Sequence, residues 1–343
     1  MTSLNMAEGR QTGATGTIIG VSKPFSGSTR RHISQQIQDW ISIFLGILVE
    51  ATPFLLLGVV VSAFVHVFVS EDRLLRFVPK NRFLALVPAL GVGMLMPVCE
   101  CGNVAVARRF LAKGVPVSAC VTFLLASPIL NPVALFATAT AFRYYPSMVW
   151  LRGGLAFVVA ALVGLMIGQW ARGEQVLASG LLGSPELHLD HDHEHHHHHG
   201  DPGRGLVSRL TAVGNQAGNE FMSMMQVLVI GAAVASATQV VIPRSAITNL
   251  GTGVVLAIVA MMSLAFVLSI CSTVDAFFAL SYSNLFPIPA LLAFLVIGPM
   301  ISMKSVGMML TAFRPRVVLA LVALTTELIF LSALILNLRG QVL

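Results

Sequence analysis

The feature of this chain that most constrains its fold is a series of long apolar runs. They cover residues 40–69, 118–142, 148–170, 221–242, 252–270, 288–313 and 317–336. A helix needs about 20 apolar residues to cross the hydrocarbon core of a bilayer, and only helices or closed barrels satisfy their backbone polar groups there. The runs are continuous rather than alternating, so they predict an all-α integral membrane protein.

The composition agrees with a membrane fold. Hydrophobic residues make up 56% of the chain and charged residues 10%, against roughly 25% charged in soluble domains. The net charge of +6 comes mainly from loop Arg and Lys, which favours contact with anionic lipid headgroups. The sequence lacks the basic, aromatic-interleaved pattern that is typical of nucleic-acid binding. The N-terminal tail lacks the pattern of a cleaved signal peptide.

The chain divides into two similar halves around a polar linker. If the interrupted run 83–112 is one crossing, there are eight spans, four in each half. Five residues recur at an offset of about 170 positions: Gly58 with Gly231, Cys101 with Cys271, Pro116 with Pro287, Phe123 with Phe294 and Pro128 with Pro299. Duplication is typical of transporters, whose substrate sites lie between the repeats near the bilayer midplane.

The predicted organisation therefore has four parts. They are a polar N-terminal tail (1–36), a first transmembrane repeat of four segments (37–172), a His-rich hydrophilic linker (173–212) and a second such repeat (213–343). Whether the two repeats are parallel or inverted is left open, since re-entrant segments would change their relation.

Helix-breaking residues cluster in the first half. Pro97, Gly102, Pro128 and Pro132 interrupt apolar sequence on either side of a turn at 113–116, and Pro both removes a backbone donor and clashes with the preceding turn. Both breaks lie about 20 Å from the turn at 1.5 Å per residue, so we expect them side by side. A broken helix leaves backbone N–H and C=O groups unpaired, which is tolerated within a membrane only where protein or a water-filled cavity supplies their hydrogen-bond partners. The breaks predict a substrate pathway, with simple packing kinks as the alternative.

Polar and small residues beside the breaks complete the predicted pathway. In the first half they are Cys99, Glu100, Cys101, Gly102, Asn103, Ser127, Pro128 and Asn131. In the second half they are Cys271, Asp275, Pro299, Ser302 and Lys304. We expect helices broken near the bilayer midplane, whose half-helix ends can hold an anionic or a cationic substrate group.

Three of the four cysteines have positions that suggest chemistry. Cys99 and Cys101 are separated by one residue, which suits two thiolates on one soft ion and suits a structural disulfide poorly. Cys271 adds a third sulfur if the halves face each other, and three sulfurs fit a trivalent metalloid such as As(III) or Sb(III). The alternative is a small apolar core residue, which is the interpretation adopted for Cys120.

Five ionisable residues lie inside apolar runs, where a charge usually marks a pathway or an ion pair. They are Glu50, Glu100, Asp275, Lys304 and Glu327. Glu50 and Glu100 are the candidates for proton coupling, because desolvation favours the protonated carboxyl. Asp275 and Lys304 belong to the pathway or pair with each other, and Glu327 is assigned to interior packing or a pair.

A histidine-rich tract occupies residues 186–199 of the linker. It contains eight of the ten histidines: His188, His191, His193, His195, His196, His197, His198 and His199. Neutral imidazole binds Zn, Ni, Cu or Co. The tract therefore predicts either a metal-binding loop or a low-complexity expansion without a function.

Three motifs carry a resemblance to a known family. They are P-x-C-x-C-G (97–102), S-P-x-x-N-P (127–132) and G-P-x-x-S (298–302). Together they resemble the predicted permease family that includes the organoarsenical efflux permeases of bacteria, with a similarity from about residue 37 onwards. The resemblance implies a multi-pass permease of about eight spans in the bacterial cytoplasmic (inner) membrane, with thiols as natural ligands of trivalent arsenicals.

The resemblance carries over to individual residues. They are Pro97, Cys99, Cys101, Gly102, Pro128, Asn131 and Cys271. Glu100 and Lys304 depart from the family pattern, since small and neutral residues are usual at these places. With a carboxylate and an ammonium at these places, the chain could also bind a substrate that does not require a thiol ligand.

These observations predict a permease, not an enzyme, that exports a soft thiol-reactive metalloid or organoarsenical by alternating access. No G-x-x-x-x-G-K-[ST] motif for ATP occurs, and no cofactor is predicted. The expected partners are membrane lipids and the small solute or metal(loid) substrate, and a homo-oligomer is an option. Three alternatives stay open: a divalent-metal transporter supplied by the histidine tract, a thiol-disulfide oxidoreductase using Cys99 and Cys101, and a non-transporting subunit of a larger complex.

Overall fold

The computed structural model describes residues 26–68, 82–96, 100–170, 206–241 and 253–339. Within these ranges the regular elements are α-helices. Those of the first half are α1 (Ser26–Phe68), α2 (Arg82–Leu95), α3 (Glu100–Ala112), α4 (Val117–Leu130), α5 (Pro132–Ala141) and α6 (Ser147–Trp170). Those of the second half are α7 (Leu206–Val241), α8 (Val254–Leu268), α9 (Asp275–Leu280), α10 (Ile288–Met300), α11 (Met303–Met309) and α12 (Pro315–Arg339).

The predicted fold class is confirmed: the protein is an all-helical integral membrane protein. Six helical stretches of the described part are long and apolar enough to cross a bilayer, and α2 and α8 contribute two shorter apolar helices. The long stretches include α4 with α5 and α10 with α11, each interrupted just past its middle, at Asn131 and at residues 301–302. α1 and α7 begin at Ser26 and Leu206, before the predicted boundaries at 37 and 213.

The chain forms two compact units, residues 1–38 and 39–343. In the first unit the described residues form the beginning of α1. The second unit contains all the packing described below, and its core is built around α4 and α10. Both helices are apolar on every face, which is the pattern of a helix surrounded by protein, and every residue from Ser118 to Leu130 is buried.

The contacts between helices follow the same pattern in the two halves. α2 and α6 pack on α4, and α8 and α12 pack on α10 in the same way. Between the halves, α4 contacts α10 and α6 contacts α12. Each short helix of one half contacts a short helix of the other half: α3 contacts α11, and α5 contacts α9. This arrangement brings the ends of the broken helices of both halves to one interface.

Small residues allow the closest helix contacts, as is common in membranes. A Cβ atom on Gly58 of α1 would collide with the backbone of Gly102 in α3, whose carbonyl carbon and oxygen would each be 2.8 Å away. Gly231 of α7, the residue that corresponds to Gly58, faces the backbone of Lys304 in α11 at 3.5 Å from the same ideal Cβ position. Each long helix therefore lies directly against a short one.

Candidate functional site

The helix breaks of the first half lie side by side, where the spacing predicts them. α2 ends at Leu95 and α3 begins at Glu100, and α4 ends at Leu130 before Asn131. The hydroxyl of Ser127 donates a hydrogen bond to Asn103 Oδ1 at 3.2 Å, and both side chains are completely buried. This bond joins the start of α3 to the end of α4. Pro97 and Cys99 lie outside the described residues.

The breaks of the second half are also joined through a serine. α8 ends at Leu268 and is followed by its C-cap Ser269, whose φ of 48° is in the left-handed region. Its hydroxyl accepts a hydrogen bond from the backbone N–H of Met303 at 3.1 Å, so the end of α8 lies beside the start of α11. The sequence gives no signal for this bond, because a left-handed serine is not a common helix terminator.

Corresponding residues terminate α4 and α10 and cap the helices that follow. Asn131 leaves the helical conformation, and its Oδ1 accepts a hydrogen bond from Val133 N–H at 2.8 Å. Ser302 is extended and forms a reciprocal capping box with Ser305, with bonds of 2.8 and 3.2 Å. Pro128 and Pro299 lie inside the last turns of the preceding helices. The polar residues of the two motifs therefore begin α5 and α11.

A buried ion pair connects the halves at the contact between α3 and α11. Lys304 Nζ is 2.9 Å from Glu100 Oε1, and the two side chains are 4% and 3% exposed. The ion pair engages Oε1, and Glu100 Oε2 is buried with no hydrogen-bond partner among the described residues. Glu100 is the first residue of α3, where the helix dipole favours a carboxylate.

A second buried ion pair connects the halves at the contact between α5 and α9. Arg152 of α6 is completely buried, and its Nη2 is 2.6 Å from Asp275 Oδ2. The same guanidinium donates to Thr138 Oγ1 at 2.6 Å and to the Ser272 carbonyl at 3.4 Å. The alternative of an ion pair between Asp275 and Lys304 is therefore wrong, because each charge is paired with a different residue.

The cysteines that the structure describes are all buried. Cys101 is completely buried and directly follows Glu100, and Cys271 is 4% exposed and lies two residues after Ser269, which bonds the residue before Lys304. One comes from each half. Cys120 is enclosed in the core around α4, with its sulfur 3.9 Å from the Val115 carbonyl oxygen. Cys99, and with it the predicted three-sulfur site, lies outside the described residues.

Two further carboxylates have different surroundings. Glu50 of α1 is half-buried, and its buried Oε1 has no hydrogen-bond partner within the described ranges. Glu327 of α12 is exposed and lines an open cavity of about 670 Å³ between α8, α10 and α12, together with Ser263 and Thr326. The assignment of Glu327 to interior packing is wrong, because its helix turns this position away from the core.

The histidine tract and its eight predicted ligands lie outside the described residues. Among the residues that are described, no group of three or more His, Cys, Asp or Glu side chains could hold a metal ion. The polar groups of the broken region therefore meet in pairs of opposite charge and not as a cluster of like ligands.

Sequence reasoning missed two groups of buried charges. Arg152 was hidden inside the apolar run 148–170, and that position was the signal available to find it. Glu220 is 8% exposed and accepts hydrogen bonds from Ser62 at 3.1 Å and from Arg109 Nη2 at 3.2 Å. This cluster joins α1, α3 and α7 near the end of α3 that is far from Glu100.

The class of protein follows from these features: a polytopic helical membrane protein with broken helices and buried charges between two similar halves is built as a permease. The chain belongs to the ArsP_1 family, described as predicted permeases, whose model matches residues 36–338. The resemblance noted in the sequence is thereby confirmed.

Two relatives extend the comparison. The chain is 41% identical over 294 residues to the UPF0718 protein YcgR of Bacillus subtilis, and the match covers 86% of this chain and 95% of the relative. It is 33% identical over 304 residues to a Streptococcus mutans protein named "Putative two-component membrane permease complex subunit", covering 89% and 97%. No solved structure matches this chain.

Proposed function

We propose that this permease exports a soft, thiol-reactive metalloid or organoarsenical by alternating access, and that the solute passes Glu100, Cys101 and Cys271. The observation that carries the proposal is the meeting of both halves at the ion pair of Lys304 with Glu100, beside which each half places one buried cysteine. Thiolates select soft metals and metalloids. An interface between halves is also where alternating access needs its substrate site.

Alternating access is supported by how the short helices are connected. α3, α5, α9 and α11 begin or end at breaks and contact the short helices of the opposite half. A movement of one half against the other would therefore change the surroundings of Glu100 and Lys304 directly. We propose protons as the coupling ion, with Glu50 or Glu100 as the carrier, because both are carboxylates with an unsatisfied buried oxygen within the described part.

The two enzyme and metal alternatives have less support. A thiol-disulfide oxidoreductase using Cys99 and Cys101 needs a thiol that a partner can reach; Cys101 is completely buried, and Cys99 lies outside the described residues. A divalent-metal transporter would depend on the histidine tract at 186–199, which lies outside the described residues. We place the permease in the bacterial cytoplasmic membrane, and the name of the Streptococcus mutans relative supports a second membrane subunit as a partner.

Transport by single cysteine variants tests the proposal. Reconstituted vesicles would take up methylarsenite, antimonite or Zn²⁺, with wild type compared with Cys101→Ala and Cys271→Ala. We expect uptake of the arsenical to fall by at least the roughly tenfold that loss of even an outer-shell partner causes at a metal. Cys120→Ala is the matched control, because this thiol is equally buried but lies beside Val115, beyond the opposite end of α3 from Glu100, and it should transport normally. Equal uptake by all four proteins would refute thiol ligation.

A further inference from the structure

The open cavity of about 670 Å³ between α8, α10 and α12 contains none of the residues proposed for the transport route. It is a groove on the surface of the second half, because its lining includes the exposed residues Ser263, Ala323 and Glu327. The rest of the lining is mainly apolar. This α8/α12 groove runs over residues 259–267 of α8 and 322–330 of α12. The exposed face of a membrane span meets lipid, so the groove opens into the bilayer.

Glu327 places a carboxylate of this groove at the middle of a membrane span. It is the thirteenth of the 25 residues of α12, so about 18 Å of helix separate it from either end. A glutamate side chain is too short to reach the headgroups from that depth, and a charge at the bilayer centre is unfavourable unless it is paired. Within the described ranges, the Glu327 carboxylate forms no ion pair. It therefore needs a counter-charge from another source.

The cations that the structure describes do not supply this counter-charge. Lys304, Arg152 and Arg109 already pair with other carboxylates, and the arginines of α12 lie in its first and last turns. A second copy of this chain that docked through the same groove would bring another Glu327 and not a cation, because a two-fold interface presents the same patch from both sides. The charge therefore favours a different polypeptide as the occupant.

The shape of the α8/α12 groove fits a helix. Its lining extends about 12 Å along α8 and along α12, which corresponds to about two turns of a helix lying between them. Ser263, Ala323 and Thr326 are small side chains of the lining, and small residues let membrane helices approach closely. Phe266 and Phe330 add apolar surface on the two sides.

We propose that the α8/α12 groove is the docking site for one transmembrane helix of a second membrane subunit, and that this helix carries an Arg or Lys at its middle, beside Glu327. The ion pair would neutralise the exposed carboxylate, and the apolar lining would pack on the rest of the helix. The proposal rests on the proposed function, since that function gives this permease a second membrane subunit as a partner. It adds the surface of contact and the chemistry of the partner.

Model transmembrane peptides test the charge. Two Leu/Ala helices of about 20 residues, one with a central Arg and one with a central Met, are labelled and mixed with the labelled full-length protein in phosphatidylcholine vesicles. Energy transfer measures their binding. We expect wild type to prefer the Arg peptide at least about tenfold, as close charge pairs at interfaces do, and Glu327→Gln to bind both peptides equally. Glu50→Gln is the matched control: it removes a carboxylate of α1 outside the groove and should keep the preference.

A second variant tests the groove itself. Ala323→Phe fills the space between α8 and α12, so we expect it to weaken the binding of both peptides. Ala237→Phe is the matched control, because Ala237 is an exposed alanine of α7 that does not line the groove. It should bind both peptides as wild type does. Both Glu327 and Ala323 are exposed, so neither substitution disturbs the core.

Three results would overturn the proposal: equal binding of the two peptides by wild type, an unchanged preference in Glu327→Gln, or wild-type binding by Ala323→Phe. Energy transfer between two differently labelled copies of the protein that Ala323→Phe abolishes would also overturn it, because the groove would then join copies of this chain. Failure of the proposed function has a different signature. Cys101→Ala and Cys271→Ala would then take up the arsenical normally, whereas peptide binding is measured without transport and would keep its preference.

Discussion

At the scale of single residues, the site depends on which charged side chains form ion pairs. These pairings are the part of the site that the sequence predicted least. The position of Glu100 and Lys304 inside apolar runs identified both as unusual. Their pairing was not predictable, because ion-pair partners far apart in the chain are set by tertiary packing. Arg152 was missed for a different reason, since a single Arg near the start of an apolar helix is also compatible with a loop boundary.

Removal of Arg152 should be among the most damaging substitutions in the protein. Arg152→Gln leaves Asp275 as an uncompensated buried charge, which we expect to lower the free energy of unfolding by about 3–5 kcal/mol. Asp275→Asn introduced into the same variant should restore much of this loss, because no buried charge then remains. Thermal unfolding in detergent measures both effects. A single variant as stable as wild type would contradict the ion pair.

The contact between Gly58 and Gly102 makes a second prediction at this scale. Gly58→Ala places a Cβ atom against the backbone of α3, and overpacking of this kind lowers stability by about 1–3 kcal/mol. We expect a lower unfolding temperature and less transport, because α3 carries Glu100. Gly46→Ala on the same helix is the control, as nothing lies within 4 Å of its added methyl group. If both variants unfold at the same temperature, the close approach is wrong.

At the scale of elements, the sequence predicted the breaks well. Pro128, Asn131 and Ser302 mark the points where α4 and α10 end, because Pro disrupts the preceding turn and Asn and Ser are good N-caps. The equal spacing from the turn at 113–116 placed two breaks side by side, and the bond from Ser127 to Asn103 joins them. What could not be predicted was that α3 and α5 contact α11 and α9, the short helices of the opposite half.

Loss of the Ser302 cap should weaken α11 in particular. Ser302→Ala removes the bond that the Ser305 N–H donates to this hydroxyl at 3.2 Å and is expected to lower stability by about 0.5–2 kcal/mol. Because Lys304 is in the first turn of α11, transport should fall as well. Ser332→Ala is the control, since the Ser332 hydroxyl bonds the Leu328 carbonyl of its own helix at 2.7 Å. Hydrogen exchange would report whether α11 opens more often.

At the scale of the whole molecule, the two halves hold each other together. Contacts between α4 and α10, α6 and α12, and the crossed short helices all run between them, together with both buried ion pairs. The apolar runs alone predicted the helical membrane fold. They could not reveal this degree of interlocking, because hydropathy gives the number of crossings and not their neighbours.

Interlocked halves should assemble even when the chain is cut. We expect two fragments, produced by dividing the chain between residues 171 and 205, to copurify from membranes when coexpressed with a tag on one of them. The tagged first fragment expressed alone is the control and should be degraded, because Arg152 then has no acidic partner from the second half. Recovery of a stable first fragment, or failure of the pair to copurify, would contradict the interface.

The burial of Arg152 also has a consequence for the biogenesis of the protein. The ribosome makes Asp275 123 residues after Arg152, which takes roughly 6 to 25 s at usual rates of synthesis. During this interval α6 is in or near the membrane with a cation that has no counter-ion. Arg152 is close to the start of α6, so its side chain can extend to the headgroups. Its final burial is therefore a late event, completed only when translation has delivered α9.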